Sequence, residues 1–405
     1  MAIVQVSRIT NRKGLSENLP QLAGAEFGWV IDQRKLYIGN GTLAEGAPAV
    51  GNTEILTQYS DILNLATSYT YKGEHAGYTA QTGPTSGDPV VQSLQAKLDN
   101  FASVLDFGAT GDGVTDDTDA INRALYQLFC RETNTTVRRS LYFPAGTYRV
   151  TQSIAVPPFA QLWGDGPDSA IIEMDVASDS SFGPYVMRTA DSLQQTGVNI
   201  GNNSATPPKQ IVISGMTFTS VEDIDLVLVD RAEQVSFNNV NFEGPLLQSS
   251  LTSAADDLAG VRFDSTVAYT TKQIEFNNCK FSQLTYGINT DENIQGVTVQ
   301  NSQFKTLYQG VVLGDGTPVN GGPEGVRIVQ NLFDAVAKQG IIIGAIAYNV
   351  SAYNIFLGVG NDFLGAGNAS AAIIDISGDN NVSIGDMFER SDADNLVQPR
   401  IDLNN

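Results

Sequence analysis

The chain has 405 residues and 42% apolar side chains, with 23 basic residues against 44 acidic ones and a formal net charge of −21. This balance argues against a phosphate backbone, which needs clustered Lys and Arg, so no nucleic-acid partner is expected. No run approaches the ~18 to 20 uninterrupted apolar residues of a membrane helix, so membrane insertion is not expected, and the N-terminus MAIVQVSRITNRKG lacks the apolar core of a signal peptide, which predicts a soluble chain not exported by that route.

Cys130 and Cys279 are the two cysteines and His75 is the one histidine. Neither cysteine lies in a CxxC pair, which argues against a disulfide framework and against a Cys-based zinc site. Nucleophilic chemistry of the Ser-His-Asp kind would have to use His75, set in a polar stretch. Hydrolytic chemistry would therefore run on carboxylates, or on Lys, Arg and Tyr. No cofactor or metal is expected.

In chain order, residues 1 to 58 read as short strands and turns. AEFGWVID (Ala25–Asp32) and KLYIGNGT (Lys35–Thr42) flank a hairpin, with Trp29, Tyr37 and Ile38 as its expected core. Residues 59 to 100 read as a linker and helical neck. Within it TGPTSGDP (Thr82–Pro89) has linker composition. Val91, Leu94, Leu98, Phe101 and Leu105 are spaced 3, 4, 3 and 4, an a/d seam of about two heptads. One amphipathic helix packing onto the next domain explains it as well as a trimer neck does.

DFGATGDGVTDDTDAI (Asp106–Ile121) carries three glycines and five aspartates. It lacks GxGxxG, GK[ST] and the EF-hand spacing. Its residues suit turns and a helix N-terminus, with Thr115 or Asp116 as N-cap and Ile121, Leu125, Leu128 and Phe129 as the apolar face of a capping helix near 116–130.

From Gln210 the chain repeats. QIVISGMTFTS, QVSFNNVNFEG, QIEFNNCKFSQ and GVTVQNSQFKT share an alternating apolar pattern and end on Phe218, Phe242, Phe281 and Phe304. Asn239, Asn278 and Asn301 stand three residues before the phenylalanine. In the variants ending on Phe333 and Phe356 the asparagine, Asn331 or Asn354, stands two before, and Asp386 holds that place before Phe388. The steps between these phenylalanines are 24, 39, 23, 29, 23 and 32 residues. A short period with variable insertions is the mark of a solenoid. Alternation makes its units strands. Stacking in register puts the phenylalanines inside, and asparagine suits rung corners because it tolerates left-handed backbone and its amide stacks.

DFGATGDGVTDDTDAINRAL, LYFPAGTYRV and LWGDGPDSAII resemble the entry region of the pectate-lyase-like right-handed single-stranded β-helices, a family that includes many bacteriophage tailspikes. The resemblance covers about Phe101 to Arg390. SRITNRKGLSENLP and GAEFGWVIDQRKLYIGNGT resemble the virion-attachment modules of phage tail fibres and tailspikes. Together they imply a mainly β protein: a small N-terminal β domain (1–58), a linker and short helical neck (59–100), and a β-helix (101–405). They further imply a homotrimer in the phage tail, made in the host cytoplasm, held to a baseplate or tail protein by residues 1–58 and facing host-surface polysaccharide. The function expected is glycan adhesion by a structural tail protein. The alternative is a polysaccharide-degrading glycosidase or lyase.

For that chemistry the largest insertion, between Phe242 and Phe281, supplies Glu243, Asp256, Asp257 and Asp264, with Arg262 nearby. Asp291, Glu292, Glu222, Asp223 and Asp225 are further acids. Most such residues on an exposed coil are solvated loop carboxylates. Tyr269, Tyr286 and Tyr308, with Tyr348 and Tyr353, offer sugar-stacking faces, although tyrosine on a β-helix more often packs.

Overall fold

The computed structural model describes residues 12–65, 93–130, 140–175, 185–190, 195–196, 199–200, 208–246, 251, 257–265, 270–290, 292–314, 322–359, 373–389 and 401–404. The chain divides into two compact units, Met1–Asn100 and Phe101–Asn405.

The first unit holds a four-stranded sheet of Arg12–Gly14, Phe27–Val30, Lys35–Gly39 and Asn52–Ile55. Its first pair is parallel and the others are antiparallel, so the expected hairpin is present. Its core differs from the expectation. Leu22 and Val30 are buried, Tyr37 and Ile38 are half-buried, and Trp29 is exposed. Gly39 is required by close approach, since a Cβ there would lie 2.1 Å from the Ala23 carbonyl oxygen.

The expected neck seam does not lie on one helix. Leu94 and Leu98 sit on a five-residue helix, Leu94–Leu98, capped by Ser93. Phe101 precedes a strand and Leu105 lies in a 3-10 turn. Val91 lies outside the described residues.

The second unit is a parallel β-helix with three faces. The first face is a ten-stranded parallel sheet that runs from Ala102–Ser103 through Lys209–Ser214, Glu233–Asn238, Thr271–Asn277 and Ile294–Gln300 to Val382–Ile384. The second face starts with Asp112–Asp116, continues with Gly146–Val150 and includes Thr217–Ser220, Asn241–Glu243 and Leu332–Val336. The third starts with Ile154–Val156 and includes Tyr185–Thr189, Asp225–Asp230, Ala259–Asp264 and Ile341–Ala347. Two long strands, Lys280–Thr290 and Gln303–Leu313, bend from the second face onto the third, with positive φ at Gln283 and Thr306.

The interior follows from the repeat. Phe218, Phe242, Phe281, Phe304, Phe333, Phe356 and Phe388 form one column, with ring centroids 4.7 to 6.1 Å apart. Phe237 and Phe276 stack beside it at 5.0 Å.

Seven consecutive turns from the first face to the second have two residues each. The first is left-handed: Gly215, Asn239, Asn278, Asn301, Gln330, Tyr353 and Gly385, with φ between 53° and 66°. The second points inward: Met216, Val240, Cys279, Ser302, Asn331, Asn354 and Asp386. This resolves the two asparagine spacings. Three residues before phenylalanine lies the left-handed position, where the Asn278 amide donates to Asn239 Oδ1 at 3.0 Å. Two residues before lies the inward position. There the column turns polar, and Asn331 Nδ2 donates to Asn354 Oδ1 (3.0 Å) while Asn354 Nδ2 donates to Asp386 Oδ1 (3.0 Å).

The aspartate-rich entry stretch holds turns, a short strand Asp112–Asp116 that pairs with Gly146–Val150, and a helix start whose N-cap is Asp117 and not the expected Thr115 or Asp116. Asp112 accepts from the amides of Val114 and Thr115, and Asp116 from Thr118, where the helix Thr118–Leu125 begins. Asp117 is buried and accepts from the amides of Thr110 and Gly111.

Candidate functional site

Because the corners between the first and second faces are uniformly short, every long connection of these rungs enters or leaves the third face. Residues 244–258 lead into Ala259–Asp264, and residues 314–326 leave Gln303–Leu313. Insertions on a solenoid gather on one side and build its binding face. Of one outward column of the third face, Leu228, Asn289, Val312 and Ile342 are buried and Arg262 is half-buried.

Charge concentrates on this face. Strand Asp225–Asp230 (DLVLVD) is buried along its whole length. At one end, Asp225 accepts from Arg262 Nε at 2.5 Å, from Arg262 Nη2 at 3.1 Å and from the Ala259 amide at 2.7 Å. Arg262 also donates to the Asp257 carbonyl at 2.9 Å and to Asp257 Oδ1 at 3.3 Å. Burial holds the Asp225 carboxyl above the ordinary aspartate value even against the guanidinium. The same contact raises the Arg262 pKa, outweighing the opposing effect of its burial.

At the other end, Asp230 and Asp264 are register partners in adjacent strands. Asp230 is held by Arg231 at 2.6 and 2.8 Å and by Arg188 at 3.5 Å. The Asp264 carboxyl is raised, first by burial and then by the Asp230 charge; Arg231 and the Ser265 amide pull the other way. A carboxyl raised by burial and by a neighbouring carboxylate is shifted in the direction a general acid needs.

The nominated acids do not form one group. Asp257 is exposed and precedes the strand Ala259–Asp264, while Asp264 ends it. Six strand residues span ~17 Å at ~3.3 Å each, so these two are not the pair of carboxylates ~5 to 9.5 Å apart that glycoside hydrolysis uses. Glu243 lies on the second face, in register with Thr219 and Ser282. Asp256, Asp291 and Tyr269 lie outside the described residues. Tyr286 is half-buried on the third face, beside Ala259 and Gln309. Tyr308 is buried with the Lys338 ammonium 5.9 Å from its ring centroid, so it packs instead of offering a free face. Tyr348 and Tyr353 are exposed at left-handed corners.

Asp230, Arg188 and Arg231 did not stand out in the sequence. The available signal was the shared ending of LVD (Leu228–Asp230) and RFD (Arg262–Asp264), which places two aspartates at the same strand position on neighbouring rungs.

With this geometry in view, the chain belongs to a known family. The model of the rhamnogalacturonase A/epimerase, pectate-lyase-like family matches residues 101–312, just over half of the chain. A glucan 1,3-beta-glucosidase of Cochliobolus carbonum is 32% identical over 120 residues, 28% of this chain and 14% of that protein. A pre-neck appendage protein of Bacillus phage B103 is 24% identical over 235 residues, 54% of this chain and 24% of that protein. The chain thus spans less than a quarter of the length of these relatives. Among solved structures, bacteriophage CBA120 tailspike protein 3 superposes with a TM-score of 0.48 at 15% identity, covering 87% of this chain and 57% of that one.

Proposed function

We propose that this chain is a phage tail component that turns the third face of its β-helix toward host-surface polysaccharide. The observation that carries the reading is the charged third face, which the long connections of the seven repeat rungs enter or leave. The pre-neck appendage relative supports a place on the virion, and membership of a polysaccharide-directed family supports the ligand class. In this reading residues 1–58 anchor the chain to a tail or baseplate protein, residues 59–100 form the linker and neck, and residues 101–405 form the β-helix of a homotrimer.

A second reading is a depolymerase on the same scaffold. The raised Asp264 carboxyl beside Asp230 favours it. Asp264 would give its proton to the glycosidic oxygen as the bond to the anomeric carbon breaks, a water would add to that carbon, and the proton the water releases would pass to Asp230.

Both readings are tested by incubating the purified chain with capsule and lipopolysaccharide from candidate hosts. Retention of a polysaccharide without new reducing ends supports adhesion. New reducing ends, lost in Asp264→Asn, support the depolymerase. No retention and no cleavage across the panel overturns both.

A further inference from the structure

We propose that the outward side of the first face is a second carbohydrate site, which holds a linear oligosaccharide along the coil axis. The inference rests on the glycan-directed reading above but uses none of the third-face residues. A groove of about 540 Å³ lies on this face, with Gln234, Gln273, Glu275, Thr298, Gln300 and Arg327 among its lining residues. Register makes it a set of columns. Ser236, Glu275, Thr298 and Arg327 are successive partners, one per rung, and Asn238, Asn277 and Gln300 are partners in the next column.

The groove has a structural origin near the start of the first-face strands. There the left-handed residue is Gln210, Gln234 and Gln273 on three rungs, then Gly296 and Gly325 on the next two. All five have φ between 57° and 67°, so the glycines are not required by backbone geometry that glutamine refuses. A side chain has been left out where the groove opens.

The chemistry fits a sugar chain better than a protein surface. The cores of protein interfaces are apolar and depleted in charge, whereas this groove offers amides, hydroxyls, one carboxylate and one guanidinium. Hydroxyl groups both donate and accept, and this set answers both needs. Gln300 Nε2 donates to Glu275 Oε1 at 2.9 Å, which holds the carboxylate in place. Arg327 is exposed on the next rung but one.

The column of Asn238 continues upward through Ser214 to Trp163. Trp163 packs against Tyr142 with ring centroids 4.5 Å apart, and Phe101 packs on Tyr142 at 5.1 Å. Trp163 and Phe101 remain 39% and 52% exposed, an aromatic platform at the head of the polar strip. From the Trp163 rung to the Arg327 rung is five steps of ~4.8 Å, about 24 Å. That accommodates an oligosaccharide of several units, with the advance per rung close to the advance per sugar of an extended pyranose chain.

The test uses the full chain with two probes, neutral laminaripentaose and acidic pentagalacturonate, read by calorimetric titration. The variants are Gly296→Gln, which restores the side chain carried by the three preceding rungs, and Arg327→Ala, with Asp264→Asn as the third-face comparator. Light scattering follows the assembly state of each. The expected result is binding of at least one probe, weakened about ten-fold or more in both first-face variants and retained in Asp264→Asn. Binding lost only in Asp264→Asn overturns this site and leaves the third-face reading standing. A changed assembly state in Gly296→Gln makes the groove a contact between copies and also overturns it. Binding of neither probe overturns the second site, while polysaccharide retention in the preceding experiment decides the broader reading separately.

Discussion

At the scale of residues, the ion pairs of the third face divide into structural and reactive parts. Asp225 is buried and held by two guanidinium nitrogens and one amide. Removing Arg262 leaves that carboxylate buried and uncompensated, so Arg262→Ala should lose about 3 to 5 kcal/mol in chemical denaturation. Adding Asp225→Asn to that variant should recover part of the loss. Asp264 behaves differently because its folded pKa is raised. The group costs stability once it ionises within the fold. The penalty is absent below the ordinary aspartate range and complete above the raised value. Asp264→Asn should therefore melt higher than the parent at neutral pH, and the gap should close on acidification. A gap that widens on acidification would contradict the burial argument. Asp112 gives the opposite sign. Its amide hydrogen bonds lower it to about 2, so its contribution is present above the ordinary aspartate value and is lost as pH falls toward that figure. Asp112→Ala should destabilise at neutral pH and be neutral near pH 2.

At the scale of elements, the phenylalanine column and the two-residue corners carry the coil. Phe304 is fully buried between Phe281 and Phe333, with both neighbouring centroids at 4.7 Å. Phe304→Ala should cost about 3 to 5 kcal/mol, with Phe304→Leu costing less, as read from the denaturation midpoint. These elements were legible in the sequence because identical residues recur at a fixed offset from a corner, and stacking in register needs nothing more. The asparagine spacings were legible as a pattern but not as two positions, since only the backbone distinguishes the left-handed residue from the inward one. The heptad seam misled for a related reason. Phe101 has the spacing of a helical a/d residue, but its packing partners are Tyr142 and Trp163, some forty and sixty residues away. A local period cannot report so distant a contact.

At the scale of the whole molecule, the site was legible only in outline. The sequence placed acids in the largest insertion and pointed to Asp264. It did not show that Asp230, thirty-four residues earlier, is its register partner, because insertions of unequal length hide which residues share a rung. It nominated Asp257 and Asp264 within one set of acids, and only the strand Ala259–Asp264 shows that its length keeps the two apart. The polar strip of the first face was less visible still, since Gln, Ser and Thr on alternating positions read as ordinary solvent-facing residues until the register aligns them. For assembly, the proposed homotrimer predicts a mass of three chains by light scattering at micromolar concentration, and a monomer there would contradict it. The most direct test of the central claim is hydrogen exchange on the full chain with and without a retained host polysaccharide. The account predicts added protection in Asp225–Asp230 and Ala259–Asp264, with the second-face strands Thr217–Ser220 and Asn241–Glu243 unchanged. Protection confined to the second face, or to residues 12–65, would contradict it.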